Sequence, residues 1–139
     1  MQKRYDRVVR KEYAESRLVY SIVADEVGLY LIHTGDVRGL VNLKANGHGD
    51  PSLLDEKRRF IDELAANEER LTTMPLDMLA SKGNSTFIAY GAILSVVARA
   101  RNQQPTMYLK TEQGDFSFAF TQSTRKQVQE LLQTITERK

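Results

Sequence analysis

Cysteine is absent from the 139 residues, which excludes disulfides, thiolate metal sites and a cysteine nucleophile. An excess of either charge is missing too, for 20 Lys and Arg stand against 18 Asp and Glu, a formal net charge of +2. Proteins that grip nucleic acid concentrate far more positive charge, so the composition argues against a nucleic-acid partner. Long apolar runs are also lacking. Sixteen uncharged residues separate Lys82 from Arg99, several of them polar (Asn84, Ser85, Thr86, Ser95), whereas a spanning helix takes about 20 mostly apolar residues. The amino terminus, MQKRYDRVVRKEY, holds no apolar run of signal-peptide length, and the chain is expected to stay in the cytoplasm.

Chemical signatures are scarce as well. Gly35, Gly39, Gly47 and Gly49 cluster, yet no Gly-x-Gly-x-x-Gly or Gly-x4-Gly-Lys-Ser/Thr pattern is present, so the spacing that wraps amides around phosphate is missing and turns account for these glycines. His33 and His48 are the two histidines, and a metal site needs three or four convergent ligands. The run His33-Thr34-Gly35-Asp36 sets imidazole, hydroxyl and carboxylate side by side, but a nucleophile needs its base placed across space, so a tight turn is the simpler reading. The pairs Asp55-Glu56, Asp62-Glu63 and Glu68-Glu69 alternate with Lys57, Arg58, Arg59 and Arg70, the pattern of a solvated helix face. No catalytic, cofactor-binding or metal-ligating residue is assigned, no cofactor is expected, and the chain is read as non-enzymatic.

What is present is a regular alternation of short elements. Leu18 to Ala24 and Leu29 to His33 read as strands flanking Asp25-Glu26-Val27-Gly28, and Val41 to Lys44 as one more short strand. Asp50 and Pro51 mark a helix start; Leu53, Leu54, Phe60, Ile61 and Leu64 give that helix one apolar side as far as about Arg70. A helical turn at Pro75 to Ala80 stops near Gly83. Ser85 to Tyr90 and Leu94 to Arg101 read as strands, followed by a hairpin of Met107 to Lys110, a link at Glu112 to Asp115, and an aromatic strand with Phe116, Phe118 and Phe120 on one face. Val128, Leu131, Leu132 and Ile135 form the stripe of a terminal helix, with Ser123 or Thr121 available as its cap. Phe116, Phe118 and Leu131 are expected to be buried together, and the 51–70 helix to be peripheral to the closure of the sheet.

This order predicts an α+β fold, 1–139 as a single domain: a curved antiparallel sheet or small open barrel closed by a C-terminal amphipathic helix, with a helical insertion at about 51–82. The run PLDMLASKGNSTFIAYGAILSVVARARNQQPTMYLKTEQGDFSFAFTQSTRKQVQELLQTI resembles the second half of a bacterial pleckstrin-homology-like domain. There an "LDxLL"-like turn precedes a strand ending in "IxYxxI", then a strand, a hairpin with a glycine turn, an aromatic strand and the closing helix. ADEVGLYLIHTG is similar to the family's early "VTDxRLYLI" strand. The resemblance covers about two thirds of the chain and implies an interaction module that forms assemblies. Phosphoinositide-binding relatives carry a basic motif at the first strand turn, where this chain has the acidic Asp25-Glu26-Val27-Gly28.

The candidate contact residues are therefore general ones. Lys3, Arg4, Arg7, Arg10 and Lys11 against Asp6 give a local charge of +4, and Arg99 and Arg101 share a strand face. Both groups are candidates for an anionic lipid headgroup or a partner, with salt-sensitive contacts. The expected function is partner binding or self-association through a free sheet edge, at Leu94 to Arg101 or Leu18 to Ala24. The alternative is a small-ligand binder or enzyme with a pocket between the sheet and the 51–70 helix, anchored on His33 and Asp36.

Overall fold

Seven strands, Lys3–Arg10 (β1), Leu18–Ala24 (β2), Gly28–Asp36 (β3), Thr86–Ala89 (β4), Ile93–Arg101 (β5), Gln104–Thr111 (β6) and Gly114–Phe120 (β7), make one antiparallel sheet in the order β4-β3-β2-β1-β7-β6-β5. The computed structural model describes residues 2–11, 18–40, 51–101 and 104–139, and only the backbone at 51–54 and 101. The sheet is a meander whose ends are joined by β1 and β7, and it stays open. The fold class is α+β, consistent with the pleckstrin-homology-like arrangement anticipated above, with two corrections to the strand plan. The amino-terminal stretch is a strand inside the sheet, and Leu18–Ala24 is an interior strand paired on both sides, not an edge. The expected strand at Val41 to Lys44 lies outside the described residues.

The inner face carries the larger core. Tyr5, Val8, Tyr20, Ile22, Leu29, Leu31, Ile88, Met107, Leu109, Phe118 and Phe120 pack there beneath the terminal helix Arg125–Arg138 (α3), which contributes Val128, Leu131 and Ile135. The period of the stripe is what places these three side chains on one helical face. Phe118 and Leu131 are fully buried as expected. Phe116 is only half-buried, stacked on Phe118 at 6.1 Å with the Arg10 guanidinium 4.9 Å above its ring. The cap of α3 is Thr124 and neither of the expected residues, Ser123 or Thr121: its hydroxyl accepts from Gln127 N, and the Gln127 side chain accepts from Thr124 N. This reciprocal box satisfies two otherwise orphaned amide donors.

The inserted helix Pro51–Thr73 (α1) lies on the outer face, together with the short helix Leu76–Ala80 (α2). Leu64, completely buried, forms a second small core with Val9, Val19 and Ala119. Two glycines make that approach close. A Cβ at Gly35 would meet Leu64 Cδ1 at 3.1 Å, and one at Gly39 would meet the Phe60 carbonyl oxygen at 2.7 Å. Gly35 lies within β3 and not in the turn that the sequence suggested, while Gly39 sits in the 3-10 turn Val37–Leu40. The helix takes no part in closing the sheet, yet it is anchored on it by a fully buried side chain. The segment His33 to Asp36 is strand, not a tight turn, and β3 carries a bulge there: Val19 pairs with Gly35 while Tyr20 pairs with His33, leaving Thr34 as the extra residue.

Candidate functional site

The basic residues of the amino terminus are distributed by β1 over both faces of the sheet. Tyr5 pairs with Ile22 and Val8 with Tyr20, so Asp6 and Arg7 oppose the single residue Ser21. This bulge brings Tyr5 and Val8, three apart in sequence, onto the same inner face. It also puts Arg7 at φ 54°, a left-handed conformation that costs a non-glycine residue about 1–2 kcal/mol. Partners hold it there. The Arg7 carbonyl accepts from Thr121 Oγ1 at 2.6 Å, and its guanidinium meets both carboxylate oxygens of Glu68 at 3.3 and 3.5 Å. Arg4 donates to the Glu68 carbonyl at 2.7 Å and to Asp6 Oδ1 at 2.7 Å, which also accepts from Ser21 Oγ at 2.6 Å. Glu68, read from sequence as part of a solvated face, is thus the clamp between α1 and the bulge.

The remaining candidates scatter. Lys3 reaches Glu130 of α3 at 3.6 Å. Arg10 turns to the inner face, with its guanidinium over Phe116 and 3.3 Å from the Tyr20 hydroxyl. Lys11 is exposed, and so is Arg99. Arg101 closes β5, and its side chain lies outside the described residues. The structure therefore does not gather Lys3, Arg4, Arg7, Arg10 and Lys11 into one anionic-ligand surface; the side chains of the first four bind elements of their own chain.

The sheet edges differ sharply. β4 has four residues, and its Phe87 carbonyl accepts from Gln113 Nε2 at 3.3 Å, so the β6–β7 turn covers part of that edge. β5 has nine residues and, among the described residues, pairs on one side only. A register shift at Leu94 interrupts its first residues, after which Ser95 to Arg101 pairs regularly with β6. Val96 and Ala98 face the inner core. Val97 faces outward directly opposite Tyr108, and Leu94, Val97 and Tyr108 are 54%, 45% and 46% exposed, three of the five large apolar side chains left in solvent among the described residues. Sequence reading found the edge but missed this patch, because alternation alone does not say which face a helix will cover.

A cavity of about 230 Å³ opens between β3, α1, α2 and residues 82–85. It occupies the place expected of a pocket between sheet and inserted helix. His33 lines it, with Nε2 2.9 Å from the Gly35 carbonyl. That carbonyl only accepts, so the ring proton sits on Nε2. Ser85 Oγ accepts from His33 N at 2.8 Å, and Asn67 Nδ2 donates to the Thr34 carbonyl at 2.7 Å. Asp36, the second expected anchor, is not at the cavity; it binds the Arg38 backbone and guanidinium at 2.9–3.0 Å, and these hydrogen bonds raise the Arg38 pKa above its usual value. His48 lies outside the described residues. Among the described residues, no three His, Asp or Glu side chains converge as metal ligands, and no helix is long and apolar enough to cross a membrane. No protein-family model matches the chain, and no curated protein matches it significantly.

Proposed function

We propose that the chain is a pleckstrin-homology-like, non-enzymatic interaction module of the cytoplasm that acts by self-association through β5. The observation that carries the reading is a nine-residue edge strand with a regular stretch, Ser95 to Arg101, beside exposed Leu94, Val97 and Tyr108. Unpaired amide and carbonyl groups on such an edge accept another strand, and apolar neighbours on the outer face add burial. A second copy of the same chain fits the charge pattern. An antiparallel pairing about a two-fold axis at Val97 sets each Arg99 opposite Ser95 of the other copy, so no arginine faces an arginine, and the Val97 side chains meet at the axis. The meander topology closed by α3 also supports the family resemblance.

Light scattering from about 1 to 100 μM, a range that brackets a micromolar contact, should show a concentration-dependent dimer. Val97→Asp should abolish it with the circular dichroism spectrum unchanged, since Val97 is exposed. A monomer at the top of that range, or a Val97→Asp dimer of undiminished affinity, overturns the reading. The cavity favours a second reading, a small-ligand binder.

A further inference from the structure

The cavity beside β3 has a chemical sign. Two cations, Arg70 near the end of α1 and Lys82 just after α2, line it together with Asn84 and Ser85, and among the described residues no Asp or Glu does. Both cations lie near helix C-termini, where positive charge is favoured in any protein, so their positions alone say little. What carries weight is their convergence on one concave site while neither makes an ion pair with a described residue. The Ser85 hydroxyl adds a neutral donor: its oxygen already accepts from His33 N, and no described acceptor takes its hydrogen. Ile32 and Leu79, 3% and 8% exposed, give the cavity an apolar wall.

We infer that this cavity binds a small phosphorylated molecule, its phosphate held by Arg70, Lys82 and the Ser85 hydroxyl and its short carbon body against Ile32 and Leu79. Two cations match a phosphate monoester, which carries about −1.5 to −2 at neutral pH, better than a single carboxylate. The volume, about 230 Å³, exceeds a bare ion and falls below the roughly 300–1,000 Å³ of sites for drug-sized ligands. In sheet order β3 is separated from β5 by β2, β1, β7 and β6, so the inference stands apart from the edge contact and fails separately from it.

The test uses the full chain with glycerol 3-phosphate and inorganic phosphate as probes, against chloride and acetate at equal ionic strength. At about 10 mM, glycerol 3-phosphate should raise the melting temperature by several degrees and acetate should not, as expected for a ligand bound with a millimolar or tighter constant. Arg70→Ala with Lys82→Ala, both exposed positions, should weaken binding by at least about tenfold, since each charge-assisted contact is worth that much or more, and leave the unliganded melting temperature nearly unchanged. No shift with either phosphate probe, an equal shift with acetate, or a shift that survives the double substitution overturns the assignment. So does retention on phosphatidylserine vesicles that depends on Arg70 and Lys82 without any response to soluble phosphate, which would make the ligand a membrane surface.

Discussion

Leu64 is the side chain on which the seating of the inserted helix depends, and its removal has a calculable cost. Leu64→Ala deletes three buried carbons, about 2.4 kcal/mol at roughly 0.8 kcal/mol each. The space left behind cannot close easily, because two of its walls are Gly35 and Gly39, which have no side chains to move inward. A residual cavity of about 40 Å³ adds about 1 kcal/mol at roughly 24 cal/mol per Å³, for a total near 3 to 3.5 kcal/mol. Gly35→Ala alone should be mildly destabilising or neutral: its new methyl stands 3.1 Å from Leu64 Cδ1, an overpacking cost of about 1 kcal/mol partly offset by reduced unfolded-state entropy. In the Leu64→Ala background the same methyl enters vacated space. The double variant should then be more stable than the sum of the single changes by about 1 kcal/mol. Urea unfolding followed by circular dichroism, compared at unchanged slope, measures all three values. A cost for Leu64→Ala below about 1 kcal/mol, or additivity within about 0.3 kcal/mol, would refute the argument that α1 is seated through this contact.

Two further outcomes follow from other contacts. Glu68→Ala leaves the half-buried Arg7 guanidinium without its carboxylate, and should cost about 1 to 2 kcal/mol, above the usual value of an exposed pair; a double-variant cycle with Arg7→Ala that shows no coupling would remove Glu68 from the role of clamp. Burial raises the pKa of Tyr5, with the Glu130 charge adding to it, and burial likewise raises that of Tyr90. Stability should therefore be level below the unfolded tyrosine pKa near 10, then fall as pH rises, because the unfolded chain ionises while the folded one resists. Tyr5→Phe should make that alkaline fall shallower in urea midpoints taken from pH 8 to 11, and an unchanged slope would count against the buried phenol as its cause.

The elements that sequence reading placed well are those whose period is unbroken. β2 has the predicted limits of Leu18 and Ala24, the β6–β7 hairpin closes at its glycine, and the α3 stripe of Val128, Leu131 and Ile135 faces the core. β1 escaped because its apolar residues Tyr5 and Val8 are three apart, which fits neither a two-residue nor, over so short a span, a helical period. Its four cations, counting Lys3, Arg4, Arg7 and Arg10, also read as a solvated terminus. β5 was one of two edge candidates in the sequence, marked by its Arg99 and Arg101, and the other, β2, is interior; the cavity lining was not legible. Lys82 and Ser85 are close in sequence, but His33 lies about fifty residues before them and Arg70 on another helix, and these meet only because α1 and α2 fold back on β3.

The two bulges explain where that meeting occurs. In β3 the extra residue Thr34 separates His33, register partner of Tyr20, from Gly35, which offers a bare backbone to Leu64. Its carbonyl is the one that Asn67 binds. In β1 the extra residue presents Arg7 to Glu68. Leu64, Asn67 and Glu68 are spaced i, i+3 and i+4 along α1, so one helical face reads both irregularities at once. A strand pair without bulges would offer this face neither the glycine hollow nor the turned carbonyl and guanidinium. Once Asn67 is fixed on β3, Arg70 follows three residues later on the same side, beyond the last clamp and at the mouth of the cavity. The irregular positions that defeat a period-based reading are thus the ones that position the helix, and the helix in turn carries the cation to the site.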